Sequence, residues 1–135
     1  MAPPDTSQTL VELITRVKSE WPPGKWEWDA QFQCALTTLK KDAEAQGRAV
    51  LSASLPGVWT NKTLATAPTL AQQVCNQTGG LKGQQLLFSA DLGSLVAYCL
   101  WWPWGDGNTF SIRLGALSND ASRDLKPELR RAFGI

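Results

Sequence analysis

Between Gln84 and Leu117 the chain reads QQLLFSADLGSLVAYCLWWPWGDGNTFSIRLGAL, three apolar segments separated by Asp91-Leu-Gly-Ser94 and Gly105-Asp-Gly-Asn108. Asp, Asn and Gly in such short linkers supply local hydrogen bonds and left-handed backbone, which favours tight reversals between antiparallel strands. The stretch therefore predicts strands over 84–90, 95–104 and 109–117, joined as a β-meander. This constrains the fold more than any other feature, because a meander has to find helices or a second sheet to cover its apolar side.

If Trp104 faces Thr109 across the second turn, Trp102 faces Ser111, Trp101 faces Ile112, Leu100 faces Arg113 and Cys99 faces Leu114. If Ala90 faces Leu95 across the first turn, Phe88 meets Ala97 and Leu86 meets Cys99. Side chains alternate between faces along a strand. One face then gathers Leu86, Phe88, Ala97, Cys99, Trp101, Phe110, Ile112 and Leu114, which is uniformly apolar and is the expected core face. The other gathers Gln85, Leu87, Ser89, Tyr98, Leu100, Trp102, Trp104, Thr109, Ser111 and Arg113, and is mixed.

An antiparallel sheet tolerates one solvated face. Trp102 and Trp104 are accordingly the candidate binding residues, with Tyr98, Leu100, Ser111 and Arg113 around them. The competing structural reading covers both tryptophans with the first helix or with the Trp26–Trp28 link, as a second hydrophobic layer. Ser111 and Arg113 favour exposure, because a buried arginine needs a paired charge. A slip of one residue would exchange the two faces.

Elsewhere the pattern is mostly helical. Leu10, Leu13, Ile14, Val17 and Trp21 follow a 3.6-residue period behind Thr6 or Ser7 as cap, and Pro22-Pro23-Gly24 stops that helix. Asp29 is a plausible cap for a second helix with Phe32, Leu36, Leu39 and Ala43 inward, ended by Gly47. Ala49, Leu51, Ala53 and Leu55 alternate with Val50, Ser52 and Ser54, which predicts a strand near 48–55. A third helix over about 68–78 turns Leu70, Ala71, Val74 and Cys75 inward and closes at Gly79-Gly80. A last one runs from Pro127 to Phe133, with proline in its first turn.

The expected fold is thus α+β, order ααβαβββα: an antiparallel sheet, built from the meander of 84–117 plus a strand near 48–55, with helices packed on one face. Residues 1–6 read as a flexible leader and 7–135 as a single domain, in keeping with 135 residues, 43% hydrophobic and 19% charged.

Thirteen basic residues against twelve acidic ones give no electrostatic reason to expect nucleic acid or an anionic membrane as partner. No apolar run approaches the roughly 20 residues of a spanning helix. MAPPDTSQ lacks the charged start and apolar segment of a secretory signal. With three cysteines and no Cys-x-x-Cys spacing, reduced buried thiols in a cytoplasmic protein are expected. The sequons at Asn61 and Asn76 would matter only in a secreted chain.

The chain contains no histidine. Ser-His-Asp and Cys-His catalysis and His-based zinc sites are thereby excluded. Gly79-Gly-Leu-Lys-Gly83 lacks the spacing of a phosphate loop. Asp106-Gly-Asn108 lacks the glycine and closing glutamate of a calcium loop. No cofactor and no metal are expected.

Three function classes remain. The first is a non-catalytic protein–protein interaction module of adaptor, inhibitor or immunity type. Its protein partner, or a second copy of the chain, docks on the Trp-rich face, since Trp and Arg are enriched among interface anchors. The second is a sensor domain holding a small molecule in an aromatic-lined pocket, for which flat tryptophans would suit a sugar ring. The third, an enzyme, finds no catalytic constellation to support it.

Overall fold

The computed structural model describes residues 6–22, 24–120 and 122–135, with the side chains of residues 6 and 7 set aside. Apart from Thr6, the expected leader lies outside these residues, as does Pro23 of the helix-stopping triplet. Among these residues four α-helices and six strands form, α1 (Thr6–Glu20), β1 (Glu27–Asp29), β2 (Cys34–Lys40), α2 (Glu44–Ser54), β3 (Gly57–Trp59), α3 (Thr69–Gln77), β4 (Leu86–Asp91), β5 (Leu95–Pro103), β6 (Thr109–Ser118) and α4 (Lys126–Phe133). The strands make one antiparallel sheet in the order β1-β2-β6-β5-β4-β3. The α+β class holds, and the meander forms its centre.

The second hairpin has the expected register: Trp102 pairs with Ser111, Trp101 with Ile112, Leu100 with Arg113 and Cys99 with Leu114. Asp106 fixes its turn. Its carboxylate accepts hydrogen bonds from the amides of Asn108 and Thr109 and from the Thr109 hydroxyl, at 2.8–3.0 Å. The first hairpin is shifted by two residues, with Phe88 opposite Cys99 and Leu86 opposite Trp101. An even shift preserves the side-chain period, so each residue keeps its expected face.

Residues 27–54 depart from expectation. Where Phe32, Leu36, Leu39 and Ala43 predict a helix, the chain makes the hairpin β1–β2. Where Ala49, Leu51, Ala53 and Leu55 predict a strand, it makes α2. The buried positions of α2 are Gly47, Val50, Leu51 and Ser54. That spacing of three, one and three is helical, and the alternation of small Ala and Ser residues imitated a strand period. Gly47 ends no helix. It sits inside α2, where a Cβ would lie 2.6 Å from Leu39 Cδ2, so glycine lets α2 approach β2 closely.

α1, α2 and α4 cover the core face. Leu10, Ile14 and Val17 of α1, Val50 and Leu51 of α2, and Leu129 and Phe133 of α4 pack with Phe88, Cys99, Trp101, Phe110, Ile112 and Leu114. Trp101 is buried between Phe88 and Phe110, with ring centroids 6.0 and 4.9 Å away. The helices do not all lie on one side: α3 packs on the opposite face, where Ala71, Val74 and Cys75 meet Leu87, Val96, Tyr98 and Leu100. The architecture is a sheet covered fully on one face and partly on the other.

Candidate functional site

α3 reaches β4, β5 and the C-terminal part of β6. Across the rest of that face, over β1, β2 and the hairpin end of β5–β6, no helix of the described residues packs. Pairing places Glu27 with Leu36, Leu36 with Arg113, Thr38 with Ser111 and Lys40 with Thr109, so these residues share the uncovered half-face with Trp102 and Trp104. Exposure falls inward from Thr38, Lys40 and Glu27 to half-buried Leu36, Ser111 and Trp102.

Arg113 is the centre of this half-face. Its guanidinium carbon stands 4.7 Å from the Trp102 ring centroid and 5.1 Å from that of Phe32. The two rings meet edge to face at 5.3 Å. Its Nε donates to Asp29 Oδ2 at 2.7 Å. The arginine side chain is 14% exposed and the aspartate 9%, so the paired charge that burial demands is present. Burial pushes the Asp29 carboxyl up, but the Arg113 hydrogen bond, the Gln31 amide and the Arg113 charge outweigh it and hold Asp29 below its ordinary value. Arg113 is thus not a free surface cation but the filler of an aromatic pair, locked by Asp29.

The turn that carries Asp29 and Phe32 is tight. The Gln33 amide donates to Asp29 O at 2.8 Å, the Gln31 amide donates to Asp29 Oδ1 at 2.9 Å, and Gln33 adopts φ +57°, a left-handed conformation that a non-glycine residue takes at some cost. Sequence periodicity had no signal for this turn. Asp29 reads as a helix cap and Phe32 as a core position, and the paired charge that a buried arginine needs argued for an exposed Arg113, whereas the structure buries it and supplies that charge from Asp29.

Trp104 differs from Trp102. It is 48% exposed, one of two exposed large hydrophobic side chains among the described residues, with Val58 on edge strand β3 as the other. Its indole Nε1 donates to Ser111 Oγ at 2.7 Å, across the strand pair. The ring is therefore held in one orientation while its surface faces solvent. Trp102 is half-buried, with its Nε1 enclosed and without a hydrogen-bond partner.

Tyr98 and Leu100 do not belong to this open surface. Both are buried in the cluster beneath α3. The six sequence candidates thus divide: Trp102, Trp104, Ser111 and Arg113 come together on the uncovered half-face, joined by Asp29 and Phe32, while Tyr98 and Leu100 lie under the helix.

The Asp106 carboxylate is committed to its turn, and the amide of Asn108 followed by the Thr109 hydroxyl holds it below its ordinary value. Cys34, Cys75 and Cys99 are free and buried, and burial pushes their thiols well up, away from the reactive thiolate. The described residues hold no group of three or more Cys, Asp or Glu that could bind a metal ion, and no helix among them is long and apolar enough to cross a membrane. Comparison with known proteins leaves this geometry to stand alone: no protein-family model, no curated protein and no solved structure matches the chain.

Proposed function

We propose that this protein is a non-catalytic interaction module, of adaptor, inhibitor or immunity type, whose protein partner docks on the half-face around Trp104. The observation that carries this reading is the exposed Trp104 ring, fixed by its hydrogen bond to Ser111 at 2.7 Å beside a sheet surface that α3 leaves uncovered. A rotamer-rich anchor held in advance loses little further freedom on binding, which favours affinity. Aromatic anchors ringed by polar side chains are the usual composition of an interface centre; here Glu27, Thr38 and Lys40 form the rim. The short edge strands β1 and β3, three residues each, oppose recognition by strand addition and favour the face over the edge. Three free thiols support a reducing compartment, the cytoplasm, as the place of action.

The test compares wild type with Trp104→Ser and with Thr38→Arg, two changes at exposed positions that leave the Arg113 cluster intact. A partner captured from native extract is purified and its affinity for each variant measured by calorimetry, with sedimentation of the chain alone to detect a second copy as occupant. Loss of affinity in both variants supports the reading. Full affinity in both removes the half-face as the docking site.

A further inference from the structure

A second feature lies on the other side of Phe32, apart from the docking half-face. A cleft of about 210 Å3 opens between the β1–β2 turn, the C-terminal end of α3, the end of β6 and the segment leading into α4. Tyr98 lines it. That residue is only 7% exposed, yet its phenolic oxygen makes no hydrogen bond with any described residue. The oxygen is not among the enclosed unpartnered polar atoms, so whatever fills the cleft can reach it.

The ring direction accounts for this access. Tyr98 pairs with Gly115, and a Cβ on Gly115 would stand 2.5 Å from the phenolic oxygen and 3.0 Å from Cys34 Cβ. The ring therefore crosses β6 over the glycine, toward Cys34 and the neighbouring Gln33, whose turn forms the cleft wall. Burial keeps the phenol protonated by raising its pKa. It can both donate and accept a hydrogen bond at that wall.

The other lining groups define what would satisfy it. Gln77 brings an amide with donor and acceptor, Gln33, whose Nε2 already donates to Ala30 O at 2.6 Å, keeps its Oε1 acceptor and a second N–H, and Phe32 and Leu117 bring apolar surface. The charges at the mouth are engaged with one another: Lys126 Nζ lies 3.6 Å from Asp124 Oδ1, and Arg123 acts weakly on Asp120 just outside the lining. Roughly seven waters at about 30 Å3 each would fill the volume, the scale of one small ring.

We propose that this cleft binds a small uncharged polyhydroxy ring, a monosaccharide in chemical class. Its hydroxyls pair with the Tyr98 phenol and the Gln33 and Gln77 amides, and its C–H face lies against Phe32. Such a ligand presents donors and acceptors together, as the lining does, whereas a carboxylate presents acceptors only.

The experiment is saturation-transfer NMR on the full chain with D-glucose, D-galactose, D-mannose and N-acetyl-D-glucosamine at millimolar concentration, with benzoate and adenine as anionic and planar counter-probes. Tyr98→Phe removes only an oxygen that no described residue bonds. Gln77→Ala changes an exposed helix residue to a good helix former, so both variants keep the fold, checked by their melting temperatures. Transfer to at least one sugar, weakened about tenfold or more in Tyr98→Phe and also reduced in Gln77→Ala, is the expected result. No transfer to any sugar, or transfer undiminished in both variants, overturns the proposal. Binding of benzoate or adenine in place of the sugars overturns the ligand class. Trp104→Ser retains sugar binding, so failure here and failure of the docking face are read separately.

Discussion

The guanidinium of Arg113 stands 4.7 Å from the centroid of the Trp102 ring, and it stays there because Asp29 Oδ2 holds its Nε at 2.7 Å. A cation over an aromatic face contributes more as water is excluded, and Asp29 removes the cost of leaving that cation alone. β6 supplies the arginine, β5 the tryptophan and the β1–β2 turn the acid and Phe32. One cluster thus ties the edge hairpin to the centre of the sheet.

Breaking this pair from one side should cost more than deleting both partners. Asp29→Ala strands a largely buried guanidinium and is expected to lower stability by about 2–4 kcal/mol. The double variant Asp29→Leu/Arg113→Met should recover most of that loss. Urea titrations at pH 7 provide the double-mutant comparison. A single-variant loss below about 0.5 kcal/mol would mean that solvent screens the pair.

The same carboxylate shapes the acid limb. Asp29 titrates below its ordinary value of 3.8 in the folded chain, so the unfolded chain binds its proton more readily. Its contribution is present above pH 3.8 and is lost as pH falls through the lower, folded value. Stability of wild type relative to Asp29→Asn should therefore shrink between pH 5 and pH 2, measured by urea midpoints at each pH. A constant difference would locate the pair's worth in packing alone.

Much of this cluster was written in the sequence, but not all in one place. Asp106 and its glycines fix the β5–β6 turn locally, so residues 99–114 could be put in register from spacing alone, and with them Trp102, Ser111 and Arg113. The β4–β5 loop is looser: Asp91 Oδ1 accepts from the Gly93 amide and the Leu92 amide donates to Leu95 O, which moves the pairing by two without changing faces. Residues 29–54 carried a misleading period. Leu36 and Leu39 occupy opposite faces of β2, both wholly or half buried, and two-sided burial erases the alternation that marks a strand. Asp29 and Phe32 were lost with it, since their partners Arg113 and Trp102 lie 84 and 70 residues away. Tyr98 was placed on its correct face, but that α3 would cover it depends on long-range packing that no local pattern encodes.

Gly115 provides a steric check on Tyr98. A Cβ there would lie 2.5 Å from the Tyr98 oxygen and 2.7 Å from Cζ, closer than real contacts allow. Gly115→Ala is expected to destabilise by about 1–3 kcal/mol through overpacking. Tyr98→Leu in the Gly115→Ala background shortens the overlying side chain and should recover part of the loss in thermal melts. Additive losses would show that the ring does not lie over the glycine.

The three thiols should be silent in the native state. Burial raises Cys34 to about 12 and Cys75 to about 11, and lifts Cys99 well above its ordinary 9.0. Ellman's reagent at pH 8 is expected to show no fast phase with folded protein and three reactive thiols in urea. The linkage sign follows: raised folded values favour the fold fully below pH 9.0, and that contribution is lost as pH rises through 11 to 12. Urea midpoints should decline on the alkaline side accordingly. A fast native thiol would place that cysteine at an opening the fold does not show.

Trp104 and Ser111 separate anchoring from orientation. Because Trp104 is about half exposed, Trp104→Ser should change stability by less than about 1 kcal/mol. If the ring anchors a partner, the same change should weaken binding by about 2 kcal/mol or more, the scale of an interface hot spot. Ser111→Ala leaves the ring in place and frees it to rotate. Its expected cost is only the ordering of one side chain, about 0.5–1.5 kcal/mol, a loss of roughly twofold to twelvefold in affinity. Calorimetry on the purified partner distinguishes the cases. A Ser111→Ala loss as large as that of Trp104→Ser would mean that the hydroxyl itself meets the partner, and two neutral variants would move the interface off this half-face.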